Sequence, residues 1–226
     1  MTTADLICMG ISLLLPLLAT LFSFVYGARH FFQRGKPLCM QTLTFAMGSH
    51  ALGSIYQLCL TVSSETVLEG FTPAYLGRIG FFLFLLASSY GQLDKIVDDG
   101  SAKMRPARRL AFLAPLAALL LYIPNVIIED VPVGTKISYA FIWIPAAFAL
   151  YFNLKHAIIP DFDFGFIKAI KPYNVFALSL GVFELLCLTA WDYLDNVFML
   201  ITAVGFSVLC VCTMVAARKG VEKWTI

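Results

Sequence analysis

Two ionisable side chains set the chemical question. His50 and Glu184 each lie near the middle of a long apolar stretch. A charge at the centre of a bilayer costs about 2.5–3.5 kcal/mol on insertion scales, so such a residue faces a bundle interior and takes a partner there. A histidine and a glutamate brought together can share one proton, and they then titrate as a pair. His50, Ser54 and Gln57 follow the spacing i, i+4, i+7, which is one face of a helix. Ser49 and Gly53 flank that face, and their small size admits a second helix at close range. Gly181, Glu184, Cys187 and Trp191 share a face of another stretch. Ser88 and Gln92, with Tyr90 nearby, mark a third face, and Tyr139 and Trp143 a fourth. Arg78 stands near the end of its stretch.

If these faces converge, they enclose a mid-membrane pocket with aromatic walls. The expected ligand-binding set is His50, Ser54, Gln57, Arg78, Tyr90, Gln92, Trp143, Glu184 and Trp191. The plainer expectation is helix glue: hydrogen bonds between membrane helices average about 0.6 kcal/mol and are common. Gln57, Gln92 and Tyr90 fit that plainer role best.

The elements that must position these residues follow from composition. The chain has 226 residues, 60% hydrophobic and 13% charged, with mean hydropathy +0.83. A soluble domain is about 25% charged, and a disordered chain is more polar still. A net charge of +2 leaves no basic footprint for nucleic acid. A membrane-crossing helix needs about 20 apolar residues. Seven stretches qualify, at residues 6–26, 38–62, 75–93, 110–128, 137–154, 173–191 and 197–217. The expected fold is an all-α, seven-helix integral membrane bundle forming a single domain.

Placing alternate loops on opposite sides puts 14 of the 16 basic residues on one side and leaves Arg78 and Lys136 on the other. Basic loops stay in the cytoplasm, so the N-terminus is expected outside and the C-terminus inside. The first stretch has Asp5 where a signal peptide would carry basic residues, so it reads as a retained span. Spans one to three and five to seven then run in the same sense. The pattern leaves open a 3+1+3 parallel repeat, residues 1–95 and 137–220 joined by the fourth helix, as some transporters are built, while chance similarity between apolar helices produces the same pattern. Lys36-Pro37 and Lys171-Pro172 read as the starts of spans two and six. His50 falls 14 residues after Lys36, and Glu184 falls 13 after Lys171.

The inner loops carry acids. Asp98 and Asp99 in one, and Asp161 and Asp163 in another, are weak candidates for a divalent cation held by oxygen ligands. With Arg105, Arg108 and Arg109 such an ion could hold a phosphate-bearing lipid headgroup. Asp-Asp-Gly and Pro160-Asp161 are also ordinary turn sequences. The motifs of other chemistries are missing from the sequence. The seventh span has no mid-membrane Lys for a retinal Schiff base, and the three histidines include no H-x-x-x-H pair. No phosphate-binding glycine loop occurs. The six cysteines sit in or beside spans with no C-x-x-C, which reads as packing.

The leading expectation is a small transporter that binds a small molecule or a proton at mid-membrane, in a bacterial plasma membrane, with no cofactor. The location follows from short loops and the lack of any N-x-[ST] sequon. The alternatives are a receptor-like sensor signalling through residues 94–109, a lipid-modifying enzyme on the acidic face, and a structural subunit. The expected partners are the lipid bilayer, the small solute, and a second copy or another membrane subunit.

Overall fold

The structure is a computed structural model that describes residues 3–29, 38–63, 71–90, 92–127, 133–159, 166–193 and 196–224. Among the described residues every regular element is helical. The helices are α1 (Thr3–Ala28), α2 (Leu38–Ser63), α3 (Pro73–Ser89), α4 (Gln92–Val97), α5 (Arg105–Ala111), α6 (Leu113–Ile127), α7 (Val133–Ile158), α8 (Phe166–Tyr193) and α9 (Asn196–Trp224), with a 3-10 turn at Ala102–Met104 before α5. Helix is the form that pairs every backbone N–H and C=O within its own segment, which hydrocarbon demands. Hydroxyls in these helices follow the same rule. Thr44 Oγ1 donates to the Met40 carbonyl at 2.8 Å, and Ser207 Oγ to the Ala203 carbonyl at 2.7 Å.

Six helical segments are long and apolar enough to cross a membrane. The seventh long helix, α2, spans 26 residues and is not among those six; it carries Ser49, His50, Ser54 and Gln57. Outer faces elsewhere are apolar. Leu14, Leu18 and Phe22 of α1 and Leu116, Leu120 and Ile127 of α6 are all exposed. A water-facing surface would not carry such a band. The chain has the make-up of an integral membrane protein.

The long helices form a ring. Neighbours pack in the order α1, α2, α3, α7, α8, α9, and α9 returns to α1. The α5–α6 segment lies outside this ring, against α7 and α8. Trp143 pins it there: its indole Nε1 donates to the Ala118 carbonyl at 3.0 Å, and its ring meets Tyr122 and Tyr139.

Three expected boundaries differ from the observed ones. Helix α8 begins at Phe166, so Pro172 lies inside it and does not open it. One proline there removes only the bond to the Lys168 carbonyl, while Ile170 anchors the added turn against Leu93, Val97, Met104 and Ile159. Lys36 and Pro37 lie outside the described residues. The third span is broken: α3 ends at Ser89, Tyr90 is extended (φ −86°, ψ 163°), and α4 starts afresh. Ser88 and Gln92 therefore do not share one continuous helix face. The fourth span starts earlier than expected, at Arg105, and turns at Phe112.

Helices α2 and α3 cross backbone to backbone. A Cβ on Gly53 would come within 2.9 Å of both the Ala74 carbonyl oxygen and the Gly77 Cα. Ser49 Oγ donates across the same crossing to the Gly77 carbonyl at 3.1 Å. These are backbone contacts and cannot swing away. Gly53→Ala or Gly77→Ala is expected to destabilise the bundle by about 1–3 kcal/mol, as overpacking does. Gly10→Ala, with nothing within 4 Å, is expected to leave it unchanged. Thermal melting in detergent distinguishes them.

Candidate functional site

The α2–α3 crossing sets two polar side chains on the ring interior. His50 lies one turn from Gly53, and Arg78 follows Gly77 directly. Both reach Glu184 of α8. His50 Nε2 is 3.1 Å from Glu184 Oε2, and Arg78 Nε is 3.2 Å from Glu184 Oε1. His50 Nδ1 is 3.2 Å from Ser54 Oγ, one turn along α2. The His50 and Glu184 side chains are 4% and 2% exposed, and Arg78 is 23% exposed. The expected His–Glu meeting is therefore present, and a guanidinium joins it. Phe206 lies over the imidazole at 4.7 Å and Phe81 meets its edge at 5.4 Å. Those rings exclude water from the sides and leave the charge contacts in a low-dielectric setting.

The three groups border a cavity of about 40 Å³. Its polar lining includes Ser12, Ser54, Gln57 and Thr202, and Cys187 and Pro16 complete part of the wall. Three buried polar atoms here, Ser12 Oγ, His50 Nε2 and Glu184 Oε1, make no aligned hydrogen bond. The ion-pair distances hold while the alignment does not, so each atom keeps capacity for a further partner. Pro16 adds to this. It has no N–H, so the Ser12 carbonyl loses its intrahelical donor. A cavity needs roughly 10–15 Å³ and two or more polar partners to hold a water. This one meets both conditions, and it is far below the roughly 300–1,000 Å³ of a drug-sized pocket.

A second polar cluster lies at the opposite end of the ring. Lys155 of α7 is 3% exposed, and its Nζ pairs with Asp94 Oδ1 and with Asp98 Oδ2, the latter at 3.3 Å. His156 Nε2 is 2.9 Å from Asp94 Oδ1. Arg108 forms a two-pronged bond to Asp98, Nε to Oδ2 at 2.8 Å and Nη2 to Oδ1 at 2.7 Å. The Arg108 guanidinium holds the Asp98 carboxyl well below the usual carboxylate range. Asp99 is lowered chiefly by the Ser101 backbone N–H, which donates to it at 2.8 Å. One layer deeper, Ser89 donates to Asn153 at 2.9 Å, and Ser88 and Tyr173 share a hydrogen bond of 2.5 Å.

Between the two polar clusters the interior is apolar. Leu43 and Met47 of α2, Phe81, Phe82 and Leu85 of α3, and Leu180 of α8 are each fully buried there. A Cβ on Gly181 would meet Leu150 Cδ2 at 2.8 Å, so the packing of this layer is tight.

The expected site residues thus divide. His50, Ser54, Gln57, Arg78 and Glu184 border one cavity. Trp143 packs on α6, and Tyr90 is 59% exposed at the α3 break, its ring tilted against Phe152 at 5.0 Å, so both stand away from it. The side chains of Gln92 and Trp191, and residues Asp161 and Asp163, lie outside the described set. Asp98 is taken up by two cations and Asp99 by a turn. Among the described residues no group of three or more His, Cys, Asp and Glu is placed to hold a metal ion. Ser12, Thr202 and the Lys155–His156 pair escaped the sequence reading. Ser12 and Thr202 look like ordinary helix hydroxyls, and Lys155 and His156 look like basic residues at an inner helix end. No protein-family model, curated protein or solved structure is significantly similar to the chain.

The Asp98 geometry gives a pH dependence. Its folded pKa is depressed, so its contribution is present above the ordinary aspartate value near 3.9 and is lost as pH falls through the folded value. Asp98→Asn is expected to cost about 2 kcal/mol at pH 7, in line with hydrogen bonds to charged groups. The gap from wild type should stay level down to about pH 5 and close only below the ordinary aspartate range. Melting temperatures across that pH range test it.

Proposed function

We propose that the protein is a small membrane transporter whose central site binds a proton together with water or a small polar solute. The observation that carries this reading is the burial of Glu184 between His50 and Arg78 beside a polar cavity. Buried ionisable residues inside membrane bundles mark substrate paths and proton relays. Glu184 has two oxygens facing two different partners, so a proton arriving at the pair can reside on either residue. Arg78 sits against Oε1 and repels a bare metal cation, whereas a proton is accepted by the His50–Glu184 side. The cavity volume suits water, and a larger solute requires the helices to part.

The direction of opening follows from the two ends. Arg78 is partly exposed, so the cavity communicates with its end of the bundle. The apolar layer around Phe82 and Leu180 and the Lys155–Asp94–Asp98 pairs close the other end. The proposed arrangement counts α2 as a seventh span and sets the Lys155 end in the cytoplasm, with the N-terminus outside and a plasma membrane as the home. The ring order supports the parallel repeat as well. Turning the ring by half maps α1, α2, α3 onto α7, α8, α9, and it exchanges the α3–α7 contact with the α9–α1 contact. His50 and Glu184 then occupy related helices and meet across the centre. A receptor-like sensor is the second reading. It is favoured by the strap that ties Asp98 and Arg108 to Lys155, since a movement of α7 would be felt in the segment 94–109.

The test is proton binding by the purified protein in detergent. Wild type and Glu184→Gln are expected to differ in proton uptake on acidification from neutral pH, with the variant still folded by its melting curve. Native mass spectrometry of the same two samples should show any retained small solute in wild type only. Equal proton uptake, with no retained species that depends on Glu184, would contradict the reading.

A further inference from the structure

The segment 105–109 divides its three arginines between two directions. Arg108 turns to Asp98 and the Ser101 carbonyl. Arg105 and Arg109 do not share that fate. They are four apart on α5, which puts them on one helix face, and both are exposed. Among the described residues neither side chain has an ion-pair or hydrogen-bond partner, whereas Arg108 has Asp98. Together they border a shallow, open surface groove whose other walls are Ala102, Pro106, Leu110 and Leu113. Leu110 and Leu113 are 51% and 54% exposed, and the exposed Leu116 and Leu120 continue along α6. Two guanidinium groups thus stand at the head of an apolar track on a span that lies outside the helix ring.

We propose that Arg105 and Arg109 bind the phosphate of an anionic phospholipid, whose acyl chains run along Leu110 and Leu113. Guanidinium groups bind phosphate oxygens through paired, charge-assisted hydrogen bonds. Basic pockets beside spans on the cytoplasmic side recognise anionic headgroups, with about 1 kcal/mol for each Lys or Arg near the surface. Accumulation of basic residues on one side explains their presence at this end. It does not explain why two exposed arginines share a face with an exposed apolar groove while the third is spent on an aspartate. Free inorganic phosphate carries the same headgroup chemistry and lacks the acyl chains, so the Leu110–Leu113 track is what selects the lipid.

Native mass spectrometry of the full chain, delipidated in mild detergent, tests this. The protein is titrated in turn with phosphatidylglycerol, phosphatidylcholine and inorganic phosphate. Wild type is expected to retain one phosphatidylglycerol in preference to phosphatidylcholine. Arg105→Gln/Arg109→Gln is expected to weaken that binding about 25-fold, roughly fivefold for each charge. Each single variant should lose about fivefold by the same reckoning. Arg218→Gln removes a charge whose partners are Glu222 and Tyr26 and should leave lipid binding unchanged. Both α5 arginines lie on the surface, so the double variant should melt with wild type. Undiminished phosphatidylglycerol binding in the double variant overturns the proposal. So does an equal loss in Arg218→Gln, or binding of inorganic phosphate with no preference between the two lipids.

Discussion

A carboxylate inside a hydrophobic helix ring has to be compensated, and much of this bundle answers that requirement. Glu184 is 2% exposed in a setting where an unpaired charge costs several kcal/mol. Its compensation comes from two other helices, His50 from α2 and Arg78 from α3. Those helices reach it because they cross each other at glycine. The Gly53–Gly77 contact has no room for a side chain, and Ser49 bonds across it to the α3 backbone. Two small residues therefore fix the approach that places an imidazole and a guanidinium on the same carboxylate. The Phe81 and Phe206 rings close the flanks and raise the value of each charge contact.

The compensation is incomplete. The ion-pair distances are short, yet Glu184 Oε1, His50 Nε2 and the nearby Ser12 Oγ lack aligned hydrogen bonds. A fully satisfied triad would be structural glue. A triad with open acceptor and donor positions beside a small polar cavity is what the proposed proton-binding role rests on. The cluster at the Lys155 end gives each carboxylate two charged or ionisable partners, although His156 Nδ1 there also lacks a hydrogen bond. There Asp98 receives a two-pronged Arg108 contact and a lysine, and Asp94 receives a lysine and a histidine. That arrangement is suited to holding α4, α5 and α7 together. Between them stands a fully buried apolar layer of Leu43, Met47, Phe82, Leu85 and Leu180. Exchange between the two ends requires that layer to repack.

The helical bundle was legible from apolar runs alone, because a helix in lipid must bury its backbone bonds and so needs length and hydrophobicity before anything else. The meeting of His50 and Glu184 was also legible, since each is costly alone. Arg78 was visible as a cation near a span end, but its reach to Glu184 depends on the α2–α3 angle. Boundaries set by tertiary contact were not legible. Pro172 looks like a helix start until Ile170 is seen packed against Leu93 and Ile159. Tyr90 and Trp143 look like pocket walls until the break after Ser89 and the bond to Ala118 are known. Helical periodicity says which residues share a face, and it is silent about which face meets which.

The central claim is that His50 and Glu184 act as one coupled unit inside the membrane. A double-mutant cycle on unfolding in detergent measures this directly, with His50→Gln, Glu184→Gln and the double variant. Contacting residues in one network show interaction energies of about 0.5–3 kcal/mol, while independent sites add within about 0.3–0.5 kcal/mol. A coupling of about 1 kcal/mol or more between the two is expected, and it should persist when Arg78→Gln is added to all four proteins in the cycle, because the His50–Glu184 contact is direct. Additive effects of His50→Gln and Glu184→Gln would contradict it.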